Sequence, residues 1–244
     1  MTSLRLGASQ VIDTEALILQ RTPHSESDWI VSLFTDAVGR VSAFAPGARK
    51  SKKRYAGGLE PFHNLSIRMR PPRQGELLHI LEASITRPRH NLVSSLTAMH
   101  AAGRGLFWVR RAFPPMMSDA RAWSLIQAWL NLLDDAPPND WLCVDARLAE
   151  FGLHLLKILG WSPELGRCVR CGKQCPPGAS AYLNLKLGGV VCRACGGTGS
   201  VVTATVRAGI MALDHDDAQP LERAVGRDAL QIVEGTLESH AGIE

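Results

Sequence analysis

The chain has 244 residues, 45% hydrophobic and 20% charged, with a formal net charge of +4. That is long enough for one large domain or two to three small ones, and the balance excludes global disorder. The opening "MTSLRLGASQ" has no apolar signal-peptide core, and no run approaches the ~20 apolar residues that span a bilayer, so a cytoplasmic chain without a membrane partner is expected.

From about residue 13 to 85 the chain reads as strands. "TEALILQR", "DWIVSLFT", "RVSAFA", "HNLSIRMR" and "ELLHILEAS" are short apolar or alternating runs bounded by turn residues. Asp36, Ala37, Val38 and Gly39 form a hairpin connection, with Gly39 supplying a positive φ. In the fourth run Leu65, Ile67 and Met69 alternate with Ser66, Arg68 and Arg70, so one face is apolar and the other presents two guanidiniums. Five such strands in about seventy residues predict a small closed barrel.

The period then lengthens. "NLVSSLTAMHAAGRGLFWVRR" predicts a helix weakened at Gly103 and Gly105, and "RAWSLIQAWLNLLD" a second. Leu148, Phe151, Leu155, Leu156 and Leu159 make the stripe of a third, stopped by Gly160 and Pro163. Pro114-Pro115 and Pro137-Pro138 separate the three. Residues 161–200 are rich in cysteine and glycine with little periodicity, and helical patterning returns after Thr203 with Leu230, Val233 and Leu237.

Charge is unevenly placed. Between Arg40 and Arg73 there are nine Lys/Arg against one acid, Glu60, so this window carries +8 and the remainder −4. Its centre is "PGARKSKKRYAGG", residues 46–58, in the connection between the third and fourth runs. A solvated loop is the plain reading of such a run. The neighbouring Arg68 and Arg70 and the flanking glycines favour a polyanion, nucleic acid first and anionic lipid second. Tyr55 is available to stack on a base. Five cations each meeting one phosphate give a salt slope of roughly −3.5 for single strands.

Six cysteines in a cytoplasmic chain point to metal before disulfides. Cys168-x-x-Cys171-Gly172 and Cys192-x-x-Cys195-Gly196 are two knuckles twenty residues apart. The two-residue spacing lets both thiolates of a knuckle reach one tetrahedral ion, and the glycine permits the tight turn. Together they supply four soft ligands for a closed structural Zn²⁺ site, with an iron–sulfur cluster as the alternative. Cys175 is read as free and Cys143 as a buried thiol. Trp108, Trp123, Trp129 and Trp141 lie on apolar helix patterns and read as core. There is no P-loop, H-E-x-x-H or G-x-S-x-G motif, so no catalytic apparatus is expected.

Three stretches carry a family resemblance: "ALILQRTPHSESDWIVSLFTDAVGRVSAFAPGARKSKKRYAGGLEPF", "FGLHLLKILGWSPELGRCVRCG" and the returning knuckle at Cys192 and Cys195. In this order they resemble RecO, the bacterial recombination mediator family. The resemblance implies an α+β multidomain chain. A five-stranded OB-fold nucleic-acid-binding domain (1–85) precedes a helical domain (86–160) with a zinc-binding insert (161–200), completed by C-terminal helices (201–244). It implies binding of single- and double-stranded DNA, ATP-independent annealing, and work with RecR in loading RecA on DNA coated by SSB, whose C-terminal tail docks on the helical domain. DNA contact is carried to Arg40, Arg49, Lys50, Lys52, Lys53 and Arg54, with Arg68 and Arg70 added from the strand pattern. The acidic end, "EGTLESHAGIE", departs from relatives that finish basic.

Two other classes fit the residues. An RNA-binding barrel and zinc-ribbon protein would prefer structured RNA, and a protein-interaction scaffold would bind no polyanion. A metal-dependent hydrolase ranks behind both.

Overall fold

The computed structural model describes residues 11–51, 54–56, 59–72, 77–136, 144–213 and 219–242; Lys52, Lys53, Trp141, Cys143 and the pairs Pro137-Pro138 and Asp216-Asp217 lie outside them. By packing, the chain divides into two compact units, Met1–Ala136 and Pro137–Glu244.

The first unit is built on β1 (Ile12–Pro23), β2 (Trp29–Thr35), β3 (Gly39–Ala45), β4 (Tyr55–Ala56), β5 (Asn64–Arg70) and β6 (Leu78–Arg87). The strand order is β3-β2-β1-β5-β6, and β3 closes onto β6 in parallel through Ala43 opposite Leu78. The expected five-stranded closed barrel is therefore present. The long β1 serves two neighbours, pairing Ala16 with both Thr35 and Leu65, and a bulge between Ile18 and Gln20 lets it curl. The interior is filled by alternate residues, among them Val31, Leu33, Val41, Ala43, Leu65, Ile67, Met69 and Ile80. Each larger side chain buried there contributes about 1.5–3 kcal/mol.

Gly39 takes φ +71 as the hairpin reading requires. It also lies where an added Cβ would fall 1.9 Å from the Met117 carbonyl oxygen, so the chain after the second helix can pass over it. The two-residue strand β4, parallel to β6 through Tyr55 opposite Ala83, was not foreseen, because two residues carry no period.

The helices of this unit are α1 (His90–Ser94), α2 (Leu96–Ala112) and α3 (Ala120–Asp135). The break falls at Ser95 rather than at Gly103 or Gly105. Ser95 is extended and its side chain caps α2 by accepting from the Ala98 N–H. Gly105 is buried in an unbroken helix. Phe34 and Leu17, both fully buried, point out of the barrel, and Phe34 meets Phe113 edge-on and stacks on Trp123.

Arg89 joins barrel to helix. It is fully buried and donates to the Phe62 carbonyl, Asn64 Oδ1, Gln127 Oε1 and Asn131 Oδ1. Its backbone N–H donates to His63 Nδ1 at 3.0 Å. Burial, then the neighbouring Arg87 charge, lowers its pKa to about 10.

The second unit contains α4 (Val144–Leu159), the small sheet β7 (Ala181–Asn184), β8 (Gly189–Val191) and β9 (Val201–Val202), then α5 (Ala204–Ala212) and α6 (Arg223–Ala241). Sheet order is β8-β7-β9, antiparallel. Helices α4 and α6 pack face to face; an added Cβ at Gly226 would sit 2.3 Å from that of Ala146. Among the described residues no helix is long and apolar enough to cross a membrane.

Candidate nucleic-acid interface and metal centre

The basic loop leaves the end of β3 and folds back on the β1–β2 turn. Gly47, at φ +69, starts a tight turn in which Lys50 and Ser51 donate to its carbonyl. Asp28 anchors the turn, accepting from the Gly47 N–H at 2.8 Å and from Ser25 and Ser27. Those donors, Gly47 first, hold the Asp28 carboxyl below its usual pKa.

Arg49 is fixed from two sides. Its N–H donates to the Ser27 carbonyl and its guanidinium to the Ser25 carbonyl, at 3.0 Å each. The same guanidinium lies 5.5 Å from the Trp29 ring, whose other cationic neighbour is Arg21 at 5.3 Å. Arg21 also donates to the Leu59 carbonyl and pairs with Glu60 at 3.0 Å. Lys50 and Arg54 are exposed, with Arg54 reaching the Pro46 carbonyl.

The stacking role expected of Tyr55 is corrected. Its ring is 1% exposed in the barrel core and its hydroxyl donates to the Pro46 carbonyl. Burial raises its pKa. Rings that reach the surface are elsewhere, His24 exposed and Phe44 and His79 half-buried. His24 meets Phe44 edge-on at 5.6 Å and Phe44 meets His79 at 5.4 Å, a row running from the β1–β2 turn across β3 to the start of β6. Arg70 pairs across the ladder with His79 and is exposed beside that row.

Two other cations are already engaged. Arg68 is held between Asp13 at 2.7 Å and Glu82 at 2.8 Å. Arg40 sits at the opposite end of β3 from the loop, donating through Nε to the Phe113 carbonyl at 2.7 Å. The structure thus sets Arg70 beside the ring row, keeps Arg49, Lys50 and Arg54 together in the loop, adds Arg21 and Trp29 next to Arg49, and holds Arg40 and Arg68 in bonds of their own. The additions were hidden because a strand-end Arg and Trp carry no spacing signal.

In the second unit the Sγ atoms of Cys168, Cys171, Cys192 and Cys195 lie within 4.8 Å of one another. A tetrahedral ion with Zn–S bonds of 2.3 Å requires sulfurs about 3.8 Å apart. Cys171 and Cys192 are 3.8 Å apart. Gly172 and Gly196 adopt φ +73 and +84, so each knuckle turns back on itself. Cys192 donates its N–H to Cys168 Sγ at 3.3 Å, and Arg170 ties the knuckles by donating to the Cys195 carbonyl.

The Cys192 and Cys171 amides pull Cys168 down to about 6. Sharing its proton with Cys192 and Cys171 pushes Cys195 up to about 12. Four thiolates at this spacing need a cation, and the cluster is able to hold one metal ion. Cys175 is not one of the four. Behind them Arg207, 4% exposed, donates to the carbonyls of Leu165, Cys175, Pro176 and Ala179, fixing the knuckle loop to α5.

Residues 10–89 match the family model described as Recombination protein O N terminal, and residues 94–244 match Recombination protein O C terminal. The chain is similar to the DNA repair protein RecO of Anaeromyxobacter dehalogenans (strain 2CP-C), 32% identical over 235 residues, covering 93% of this chain and 90% of that one. Similarity to the DNA repair protein RecO of Geobacter sulfurreducens is 35% over 199 residues, covering 80% and 78%. With that of Myxococcus xanthus it is 28% over 245 residues, covering 94% and 92%.

Proposed function

The chain belongs to the RecO family of DNA repair proteins, and from that membership and the barrel's geometry we propose that it binds DNA strands and anneals them without ATP. The observation that carries this reading is an anchored cationic loop that leaves β3 next to Phe44, the centre of a partly exposed row of rings. Arg49 is pre-set against Trp29, and Arg70 is exposed opposite His79 in the row His24, Phe44 and His79. Phosphates neutralise Arg49, Lys50, Arg54 and Arg70, with Lys52 and Lys53 of the same run, while unpaired bases stack on the ring row. Arg68 and Arg40 contribute less, since their donors are committed within the protein.

Annealing makes and breaks no covalent bond. A positive surface lowers the repulsion between two phosphate backbones, and stacking keeps bases unpaired and presented. In the cell the protein's proposed site of action is the cytoplasm, at the nucleoid. It works there with RecR to load RecA on DNA coated by SSB, whose tail docks on the helical part of the chain. The four cysteines hold Zn²⁺ as a structural ion: all ligand positions are filled by sulfur, so its part is to fix the knuckle fold.

The experiment is single-strand binding across a salt series. A slope of log K against log salt of about −4.2 for these six cations, its magnitude reduced by ~0.7 for each cation removed, is the expected result. Binding that is flat with salt would refute the reading.

A further inference from the structure

The second unit carries a groove of about 1090 Å³ between α6 and the small sheet. It follows α6 from Asp228 to Ser239, about 16 Å of helix at 1.5 Å per residue. The α6 positions that line it, Asp228, Gln231, Ile232, Gly235 and Glu238, recur every three or four residues and share one face. Ile232 is buried and makes an apolar floor with Val202 and Val206. An added Cβ at Gly235 would fall 2.6 Å from Leu185 Cδ1, so the 3-10 turn Leu185–Leu187 seats on the helix as part of the facing wall.

That wall also includes an open strand. Sheet order β8-β7-β9 leaves β9 at an edge. Leu183 donates its N–H to the Ser200 carbonyl, and the next pair is Tyr182 opposite Val201. Bonded and non-bonded pairs alternate in an antiparallel ladder, so the Val201 N–H and C=O face away from β7. The Val201 side chain is 56% exposed.

The charges lining the groove are Asp228 and Glu238 on α6 and Lys186 on the facing wall. Neither carboxylate has an ion pair or a side-chain hydrogen bond among the described residues. Glu238 stands in the last turn of α6, where the helix carbonyls add negative potential. An anionic segment would meet two carboxylates and one cation here, whereas a cationic one meets two free acceptors.

We propose that this groove binds an extended segment of a partner protein that carries two cationic side chains four residues apart with an apolar residue midway. In a strand such residues fall on one side and span ~13 Å at 3.3 Å per residue. Asp228 and Glu238 are about 15 Å apart along the helix axis, within reach of two lysine side chains. The apolar residue between them lies over Ile232, and the Val201 edge supplies one pair of backbone hydrogen bonds. The inference uses the second unit alone and is independent of strand binding by the barrel.

The test is fluorescence anisotropy with three labelled peptides. TKTVTKT has the proposed spacing, TKTVKTT has the same composition with the lysines three apart, and TETVTET reverses the charge. Wild-type protein is expected to bind TKTVTKT about fivefold or more tighter than either of the others. Asp228→Lys/Glu238→Lys should weaken that binding about tenfold or more, with Asp228→Asn/Glu238→Gln between. Val201→Pro, which removes an outward N–H at a sheet edge, should weaken it about threefold. A circular-dichroism melt checks the fold of each variant, and the neutral pair decides if the reversed one melts early. Equal affinity for the two lysine peptides, or binding unchanged in the neutral pair, overturns the proposal. Preference for TETVTET makes the groove a site for acidic segments, and the proposal fails. It fails equally if wild-type protein ignores all three peptides, or self-associates in a way that the neutral pair abolishes.

Discussion

Asp28 Oδ1 accepts the Gly47 amide at 2.8 Å, tying the β1–β2 turn to the root of the basic loop. The acid thus sits among cations as their anchor. Asp28→Ala frees the loop and is expected to weaken single-strand binding several-fold, with the salt slope unchanged because no cation is lost. Asp28→Asn keeps an acceptor and removes a repelling charge, so it should bind at least as well as wild type. A salt titration of both variants checks this; equal losses in both would contradict the anchor.

His63 makes the barrel–helix junction sensitive to acid. Its Nδ1 accepts from the Arg89 N–H, which requires the neutral ring. Burial, then the Arg89 and His90 charges, hold its pKa below the usual 6.5. The unfolded chain therefore binds the proton first as pH falls, and the contribution of His63, complete above about pH 6.5, is lost as pH drops through the folded value. Denaturant unfolding at pH 7 and pH 5 should show a loss for wild type that is smaller in His63→Gln.

Gly39→Ala tests the close approach of the chain at Met117. A Cβ there meets the Met117 carbonyl and forces a strained φ, at an expected cost of about 2–4 kcal/mol in unfolding free energy. The positive φ was legible in the sequence, whereas the approach was not, because the two segments are nearly eighty residues apart.

That contrast holds across the molecule. The alternation from Leu65 to Arg70 and the Cys-x-x-Cys spacing are local, and both read directly into strand face and sulfur cluster. The closure of β3 on β6, the burial of Tyr55 and the Arg21–Trp29–Arg49 stack depend on which distant residues meet, and no period encodes that. Arg89 and Arg207 belong to no motif in the sequence; only the ring of carbonyl and amide oxygens around each reveals a structural cation. Reading the helix break at glycine rather than at Ser95 weighed propensity above a side-chain cap.

Removing metal tests the cysteine cluster. Structural zinc contributes about 10–16 kcal/mol of apparent binding energy in small zinc folds. Chelation or Cys171→Ser should therefore expose the knuckle loop to protease while leaving the barrel's unfolding transition in place. Metal analysis should return one zinc per chain, and cobalt exchange should give the spectrum of a tetrahedral thiolate site. A visible iron–sulfur chromophore would contradict zinc.

The most direct measurement is ATP-free annealing of two complementary labelled strands at several salt concentrations, by wild type and by a variant with Arg49, Lys50, Lys52, Lys53 and Arg54 replaced by Glu. Acceleration by wild type that fades with salt, and its loss together with strand affinity in the variant, is the predicted result. Equal annealing and equal affinity in the two proteins would contradict the assignment of phosphates to this loop.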